Sequence, residues 1–258
     1  RPALANFRGE SFTFGEFATQ IARFHVFFEA IGLKKGDKVA LCAKNSARWG
    51  VTFFADNTYE AVLVPILADF HPDSVNSLGD HSESKRLLTD SEIWAKLDIT
   101  KMPSVQAVIS SSDFSLLYAA DEAIQNASDN LQKLFDEKYP AGFSAADVSY
   151  PTDNDKNLAI INYTSGTSGF SKGVMIPYRA LLSNVLFGHE VVPMVNNKSN
   201  VVSMLPTAHM YGMMFEFLFE MTVGAHVHFL TRVPSPRRTV LSLCSERRPR
   251  TIFPFKIS

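Results

Sequence analysis

Short apolar runs and segments with helical spacing alternate along most of the chain. Thr13 and Glu16 form a capping-box pattern, and the apolar positions after them predict a helix over residues 14–28 that ends before Gly32. Apolar runs bounded by turn residues predict buried strands at 39–43, 62–67, 86–90, 105–110, 158–164, 200–205, 226–230 and 251–255. Helical spacing predicts further helices at 46–57, 73–82, 91–97, 120–137, 179–190, 211–222 and 236–247. This alternation is typical of an α/β protein with mainly parallel sheets flanked by helices.

The alternation is interrupted by the polar segment 139–157, which contains Pro140, Gly142 and several aspartates. Residues of these types favour turns and irregular backbone. The sequence therefore predicts a first α/β subdomain over residues 1–138 and a second over residues 158–258. Between them it predicts a linker or a surface excursion.

The composition narrows the class of protein. A formal net charge of -1 gives no general electrostatic attraction to nucleic acid or to an anionic membrane. No apolar run approaches the roughly 18 to 20 residues that are needed to cross a bilayer. Cys42 and Cys244 lie far apart in the sequence, which favours a reducing cytoplasm over a disulfide framework. The first residues contain neither the apolar core of a signal peptide nor an initiating methionine, so we expect a trimmed or partial polypeptide.

The segment YTSGTSGFSKGV, residues 163–174, follows a predicted buried strand and carries the clearest candidate chemistry. Its glycines let backbone N–H groups approach an anion, its hydroxyls add donors, and Lys172 adds a positive charge. It is not a Walker A loop, because Lys172 is followed by Gly173 and Val174, and it does not match G-x-G-x-x-G. We interpret it as a phosphate-binding loop, and the alternative is a plain Gly/Ser turn between a strand and a helix.

This segment resembles the phosphate-binding signature of adenylate-forming enzymes, Tyr-Thr/Ser-Ser-Gly-Thr-Thr-Gly-x-Pro-Lys-Gly-Val. Ser168 replaces the second threonine and keeps a hydroxyl, whereas Ser171 replaces the rigid proline. Other segments resemble the same superfamily in the same order, namely SFTFGEFATQIARF, KKGDKVALCAKNSARW, YEAVLVPILADFHPDSV and LLSNVLF. LPTAHMYGMMFEFLFEMTVGAHVHFL resembles the Leu-Pro-x-x-His-x-x-Gly segment of acyl-CoA synthetases, with His209 and Gly212 aligned. This variant is most similar to bacterial long-chain fatty acid–CoA ligases.

The resemblance implies the large N-terminal domain of an acyl-CoA synthetase, truncated, and an ATP-dependent reaction. A fatty acid carboxylate is joined to the α-phosphate of ATP and the acyl group then passes to coenzyme A, with Mg2+ bridging the phosphates. The residues implied to hold the nucleotide are Thr164, Ser165, Gly166, Thr167, Ser168, Gly169, Lys172 and Gly173. The resemblance also implies catalytic roles for His209 and Lys172. It implies that Thr167 contacts magnesium through Mg–ATP. The residues implied to contact the acyl substrate are His209, Tyr211, Gly212 and Met213.

Three other groups of polar residues have simpler interpretations. Glu216 and Glu220 share one face of a helix, but hydrolytic carboxylate pairs flank a substrate from opposite sides, so we interpret both as polar features of a mostly buried helix. His226 and His228 lack an apparent third metal ligand, which favours a structural role. A late basic cluster could attract an anionic partner or make peripheral contact with a lipid surface, although a solvated helix face is the favoured interpretation. Its members are Arg232, Arg237, Arg238, Arg247, Arg248 and Arg250.

Two alternatives to a long-chain ligase stay open. One is another carboxylate-activating AMP-forming ligase, for medium-chain or aryl acids, and the other is a non-catalytic nucleotide- or lipid-binding fragment. The family's adenine, ribose and C-terminal lysine motifs do not occur before Ser258, so we expect the chain alone to have little adenylation activity. The sequence indicates neither an acyl chain length nor an oligomeric state.

Overall fold

The computed structural model describes residues 1–164 and 172–230, together with the short strand Thr251–Ile252. The chain forms two compact units, each of them discontinuous in sequence. Unit 1 consists of Arg1–Phe17, Asn45–Gly50 and Arg179–Ser258, and unit 2 consists of Ala18–Lys44 and Val51–Tyr178. The predicted helix at 236–247, the arginine cluster and Cys244 lie outside the described residues.

Strands and helices alternate along the described part of the chain. Its strands are β1 (Pro2–Asn6), β2 (Ser11–Thr13), β3 (Lys38–Cys42), β4 (Val62–Ile66), β5 (Arg86–Thr89), β6 (Ala107–Ser110), β7 (Leu116–Ala119), β8 (Leu158–Thr164), β9 (Lys172–Pro177), β10 (Asn200–Ser203), β11 (His226–Phe229) and β12 (Thr251–Ile252). Its α-helices are α1 (Phe14–Ala30), α2 (Ala47–Thr58), α3 (Pro72–His81), α4 (Ser91–Trp94), α5 (Glu122–Asp129), α6 (Leu131–Lys138), α7 (Tyr178–Val191), α8 (Met210–Met213) and α9 (Phe219–Thr222). Short 3-10 helices occupy Ile99–Lys101 and Ala145–Asp147, and a π-helical turn, Met214–Leu218, joins α8 to α9.

The sheet of unit 1 has the order β12-β10-β11-β1-β2 among the described strands. β10 runs parallel to both β11 and β12, and β1 runs parallel to β11, with Leu4 opposite Val227. β2 adds an antiparallel edge to β1. The first strand of the chain is therefore held by a strand more than two hundred residues later in sequence, as the pairing of Leu4 with Val227 shows.

The sheet of unit 2 has the order β7-β6-β5-β3-β4-β8-β9 among the described strands. Its inner pairs are parallel, and β7 and β9 form antiparallel edges on β6 and β8. Apolar side chains of the inner strands pack with Val75 and Leu78 of α3 and with Met102. Burial on both faces explains why these strands are continuous apolar runs in the sequence. The predicted α/β class with mainly parallel sheets is confirmed.

The division into units differs from the predicted subdomain boundaries. The segment 139–157 lies within unit 2, because β8, which follows it, pairs with β4 of the same sheet. Arg1–Phe17 belongs to unit 1 because β1 pairs with β11. Local composition marks an irregular segment, but long-range strand pairing decides which segments belong to one unit.

Individual elements also depart from the predictions. The predicted helix 120–137 is two helices, α5 and α6, which meet at Asn130. There the Asn130 side chain donates to the Asn126 carbonyl at 2.9 Å, a local bond of the kind by which asparagine competes with helical backbone bonding. The predicted helix 91–97 is shorter, as α4 ends at Trp94. Strands β1, β2, β7 and β9 were not predicted.

The predicted capping box at the start of α1 is confirmed. The backbone N–H of Thr13 donates to Glu16 Oε2 at 2.8 Å, and the backbone N–H of Glu16 donates to Thr13 Oγ1 at 3.2 Å. Hydrogen bonds from the Thr13 backbone and hydroxyl lower the pKa of Glu16. After the helix, Gly32 adopts a φ of 66°, the left-handed conformation that glycine tolerates without steric cost.

Replacing Asp56 with asparagine is expected to remove a pH-dependent loss of stability. Asp56 in α2 is 0 % exposed, neither carboxyl oxygen has a hydrogen-bond partner in the described part of the chain, and burial raises the pKa of the carboxyl well above its usual value. As pH rises above about 3.9, the unfolded chain releases this proton whereas the folded protein retains it. The free energy of unfolding therefore falls with rising pH until the pKa of Asp56 in the folded protein is passed.

Urea unfolding between about pH 4.5 and 8.5 measures this difference, because that range starts above the unfolded pKa. The free energy of unfolding of the parent chain should fall with pH relative to that of Asp56→Asn. Asp153→Asn, at an exposed position, is the matched control. Parallel profiles for the parent chain and Asp56→Asn would contradict the assignment.

Candidate functional site

The predicted phosphate-binding loop connects two antiparallel strands of unit 2. β8 ends at Thr164 and β9 begins at Lys172, and these two residues are paired across the sheet. Both side chains are exposed. Five predicted nucleotide-binding residues lie outside the described residues, namely Ser165, Gly166, Thr167, Ser168 and Gly169. β9, which the sequence did not predict, separates the loop from α7, and α7 lies where the helix over residues 179–190 was predicted.

Gly173 allows the aromatic ring before the loop to pack against the hairpin of β8 and β9. A Cβ atom at Gly173 would lie 3.0 Å from Ile161 Cγ2 and 3.3 Å from Tyr163 Cε1. The Tyr163 hydroxyl is 2.7 Å from Nδ1 of His81, the last residue of α3, and burial raises the pKa of Tyr163. His81 and Tyr163 therefore tie the end of α3 to the strand that leads into the loop. No spacing pattern could have revealed this contact, because the two residues are 82 positions apart.

His209 lies in unit 1, at the N-cap of α8. Its Nδ1 accepts from the backbone N–H of Tyr211 at 3.4 Å, and its backbone N–H donates to the Pro206 carbonyl at 2.9 Å. The residue is exposed. The chain thus presents His209 at an exposed position at the start of α8.

Gly212 and Met213, both predicted to contact the substrate, are buried in unit 1. A Cβ atom at Gly212 would lie 2.7 Å from the Pro206 carbonyl oxygen and 3.0 Å from Leu205 Cβ, so glycine is required where α8 packs on the preceding segment. Met213 is 0 % exposed. Packing inside unit 1 is enough to explain why a glycine and a methionine occur at these two positions. Contact of either residue with the substrate stays a prediction.

Tyr211, which is 41 % exposed, belongs to a chain of aromatic rings on unit 1. Its ring centroid is 5.2 Å from that of Phe215, and the Phe215 centroid is 6.4 Å from that of Phe187 on α7. Leu182 and Leu186 of α7 are also exposed, at 54 % and 55 %. We call Phe187, Tyr211 and Phe215 the aromatic surface, and its apolar character suits a hydrocarbon or aryl group.

Glu216 and Glu220 are buried, as predicted for polar features of a mostly buried helix. Glu216 Oε2 accepts from the backbone N–H groups of Met204 and Leu205 at 2.7 and 2.8 Å. Burial raises the pKa of Glu220 to about 8. The sequence did not reveal that Glu216 binds the backbone of Met204 and Leu205, because these residues precede α8 and share no periodic pattern with Glu216.

His226 and His228 both lie on β11. The rings of His226 and His228 lie 3.9 Å apart between centroids, and His228 Nε2 is 3.1 Å from Asn200 Oδ1. Among the described residues, no three or more His, Cys, Asp and Glu side chains are grouped so that they could hold a metal ion. None of the described helices has the length and apolar character that a membrane span needs.

Comparison with known proteins places these features in a family context. A family model described as AMP-binding enzyme matches residues 1–254. The long-chain-fatty-acid–CoA ligase of Salmonella typhimurium is 26% identical over 249 residues, which are 90% of this chain and 44% of that protein. The 4-coumarate–CoA ligase-like protein 9 of Oryza sativa subsp. japonica is 28% identical over 207 residues, which are 79% of this chain and 34% of that protein.

Solved structures agree with the fold. The crystal structure of ATP-bound MatB from Rhodopseudomonas palustris superposes on this chain with a TM-score of 0.73 and 21% sequence identity. The match covers 95% of this chain and 45% of the MatB chain. At that identity the match concerns the fold alone. The chain spans less than half the length of these relatives.

Proposed function

Because the chain belongs to the AMP-binding enzyme family, we propose that it is the N-terminal part of an ATP-dependent ligase that activates a long-chain fatty acid and transfers it to coenzyme A. In this proposal the protein binds Mg–ATP, a fatty acid and coenzyme A in the cytoplasm. The resemblance of LPTAHMYG and its apolar helix to long-chain ligases supports the choice of substrate, as does the similarity to the Salmonella enzyme.

The observation that carries the proposal is the hairpin of β8 and β9. It pairs Thr164 with Lys172 at the two ends of the glycine-rich segment. This arrangement brings a hydroxyl and a flexible ammonium group to opposite ends of a segment rich in backbone donors. Several such donors together suit the multiple charged oxygens of a triphosphate.

The proposed reaction has two steps. A carboxylate oxygen of the fatty acid attacks the α-phosphorus of ATP, the bond to the bridging oxygen breaks, and pyrophosphate leaves. The thiolate sulfur of coenzyme A then attacks the acyl carbon, and AMP leaves. Because both steps join anionic groups, the protein contributes charge neutralisation and alignment more than a nucleophile.

The proposed roles of the residues follow from their chemistry. Lys172 and the loop hydroxyls neutralise and bind the phosphates, with Thr167 next to the magnesium that ATP carries. His209 donates to the substrate carboxylate or to the α-phosphate from its exposed position at the N-cap of α8. The aromatic surface beside it provides apolar contact for the acyl chain.

An aryl-acid ligase is the second candidate. The aromatic surface fits a flat ring as well as an alkyl chain, and the Oryza relative carries the name of a 4-coumarate–CoA ligase-like protein. The two candidates differ in the acid that supports release of pyrophosphate.

A panel of acids tests the proposal. The complete polypeptide that carries this chain is assayed for pyrophosphate release with hexadecanoate, octanoate, acetate, benzoate and 4-coumarate, and the 258-residue chain is assayed beside it. We expect the highest kcat/KM with hexadecanoate, and background rates from the 258-residue chain alone. A preference for benzoate, 4-coumarate or acetate would reject the long-chain substrate. Release of pyrophosphate with none of the acids would reject the ligase itself.

A further inference from the structure

The segment Met204–His209 connects β10 to α8 in unit 1, and we call it the histidine segment. Within the segment, the His209 N–H donates to the Pro206 carbonyl at 2.9 Å. Pro206 has no N–H to donate, and the segment contributes no strand residue to the sheet. Side chains from other elements add hydrogen bonds to residues 204–207 of this segment.

Glu216 holds the beginning of the histidine segment. It lies in the π-helical turn, is 0 % exposed, and accepts with Oε2 from the backbone N–H groups of Met204 and Leu205. A carboxylate that accepts two N–H bonds is a stronger acceptor than a neutral group. Removing it would take the shared acceptor away from both N–H groups.

Asn45 holds the middle of the histidine segment. Its Nδ2 donates to the Leu205 carbonyl at 2.6 Å, and its Oδ1 accepts from the backbone N–H and the hydroxyl of Thr207 at 2.9 and 2.8 Å. Thr207 is 0 % exposed. Asn45 thus uses both ends of its amide on residues just before His209, a pattern that neither aspartate nor serine can reproduce.

We propose that Glu216 and Asn45 are positioning residues that act together through the histidine segment to place the His209 ring. This inference rests on the proposed function, in which His209 contacts the reacting groups. The two side chains approach the segment from different elements and bind adjacent residues of it, so the segment cannot shift without breaking bonds to one of them. A displacement of about 1 Å at a reacting group can lower a rate on the order of 100-fold, which makes such placement consequential.

The first arm of the test measures catalysis in the complete polypeptide. Asn45→Asp keeps the size of the side chain and loses the bond to the Leu205 carbonyl, and Thr207→Val loses the hydroxyl bond alone. We expect kcat to fall on the order of 10- to 100-fold in Asn45→Asp. Thr207→Val should show a smaller fall. The KM for ATP should stay within about twofold in both variants, because the predicted nucleotide-binding residues are unchanged.

Glu216 is tested with two substitutions and a matched control. Glu216→Ala removes the acceptor, whereas Glu216→Gln keeps a carbonyl oxygen in its place, so the glutamine variant should recover much of the kcat that the alanine variant loses. Glu190→Gln, on the exposed side of α7, is the control for the loss of one carboxylate. Equal activity of Glu216→Ala and the unsubstituted enzyme would reject the role of Glu216.

The second arm does not depend on catalysis. Amide hydrogen exchange at Met204, Leu205 and Thr207 and the NMR ring signals of His209 are compared between the unsubstituted protein and Asn45→Asp. We expect faster exchange and displaced His209 signals, with the signals of His25 in unit 2 unchanged. Unchanged exchange and unchanged His209 signals would overturn the proposal, and so would displaced signals with a normal kcat. If the unsubstituted polypeptide has no ligase activity, the proposed function is rejected. Hydrogen exchange and the His209 signals then decide by themselves whether Asn45 places the His209 ring.

Discussion

Gly212→Ala is expected to lower the free energy of unfolding by about 1–3 kcal/mol, the usual cost of overpacking a close contact. A new Cβ would lie 2.7 Å from the Pro206 carbonyl oxygen. That oxygen belongs to the backbone and accepts the N–H of His209, so it cannot move aside without disturbing the turn that presents the histidine ring. The substitution should therefore affect stability and the placement of His209 together.

The measurement is thermal and urea unfolding of the substituted chain. For a protein of this size we expect the unfolding temperature to fall by roughly 2–12 °C. Gly15→Ala is the matched control, because its Cβ would meet nothing nearer than Thr13 Oγ1 at 4.0 Å. Similar unfolding temperatures for Gly212→Ala and the parent chain would show that the backbone at Pro206 can move to make room for a Cβ atom. Steric exclusion would then no longer explain the glycine.

Lys172→Met is expected to weaken ATP binding by the complete polypeptide roughly 10- to 150-fold. This range corresponds to the loss of about 1.5–3 kcal/mol for a hydrogen bond to a charged group. Methionine keeps an apolar stem of similar length and removes the ammonium charge. Because Lys172 is exposed and paired with Thr164 in the sheet, we expect the backbone of the hairpin to be unaffected.

Binding of ATP at two ionic strengths measures this prediction. The unsubstituted polypeptide should lose affinity more steeply with added salt than Lys172→Met, because one charge contact is absent from the variant. Lys156→Met, at an exposed position before β8, is the control and should bind ATP as the unsubstituted polypeptide does. An equal affinity of Lys172→Met and Lys156→Met would exclude Lys172 from the phosphate site.

Much of the fold could be predicted because its causes are local or periodic. The capping box of Thr13 and Glu16 lies at the start of α1, and the apolar runs of β3 and β4 reflect strands buried on both faces. The phosphate-binding role of segment 163–174 was proposed from glycines, hydroxyls and a lysine that are neighbours in sequence, and it stays a prediction. The structure shows that Thr164 and Lys172 are paired between β8 and β9.

Edge strands and supporting side chains could not be predicted in the same way. β9 is an edge strand on β8 with mostly exposed side chains, so it lacks the apolar pattern of an inner strand. β1 is an inner strand, but it is short and pairs with β11, a strand remote in sequence. Asn45 and Thr207 are 162 residues apart in sequence, and their bond has no periodic signature. The buried carboxyl of Asp56 within an ordinary helical segment was missed for the same reason.

The sequence by itself determined the α/β class, the family and the chemical character of the glycine-rich segment, because each is expressed by neighbouring residues or by a regular period. Only the tertiary structure decided which segments form each unit and which side chains bind the residues before His209. It also decided that Gly212 is required by the Pro206 carbonyl. Those features depend on distances between residues remote in the chain, and such distances exist only after the strands have paired and the helices have packed.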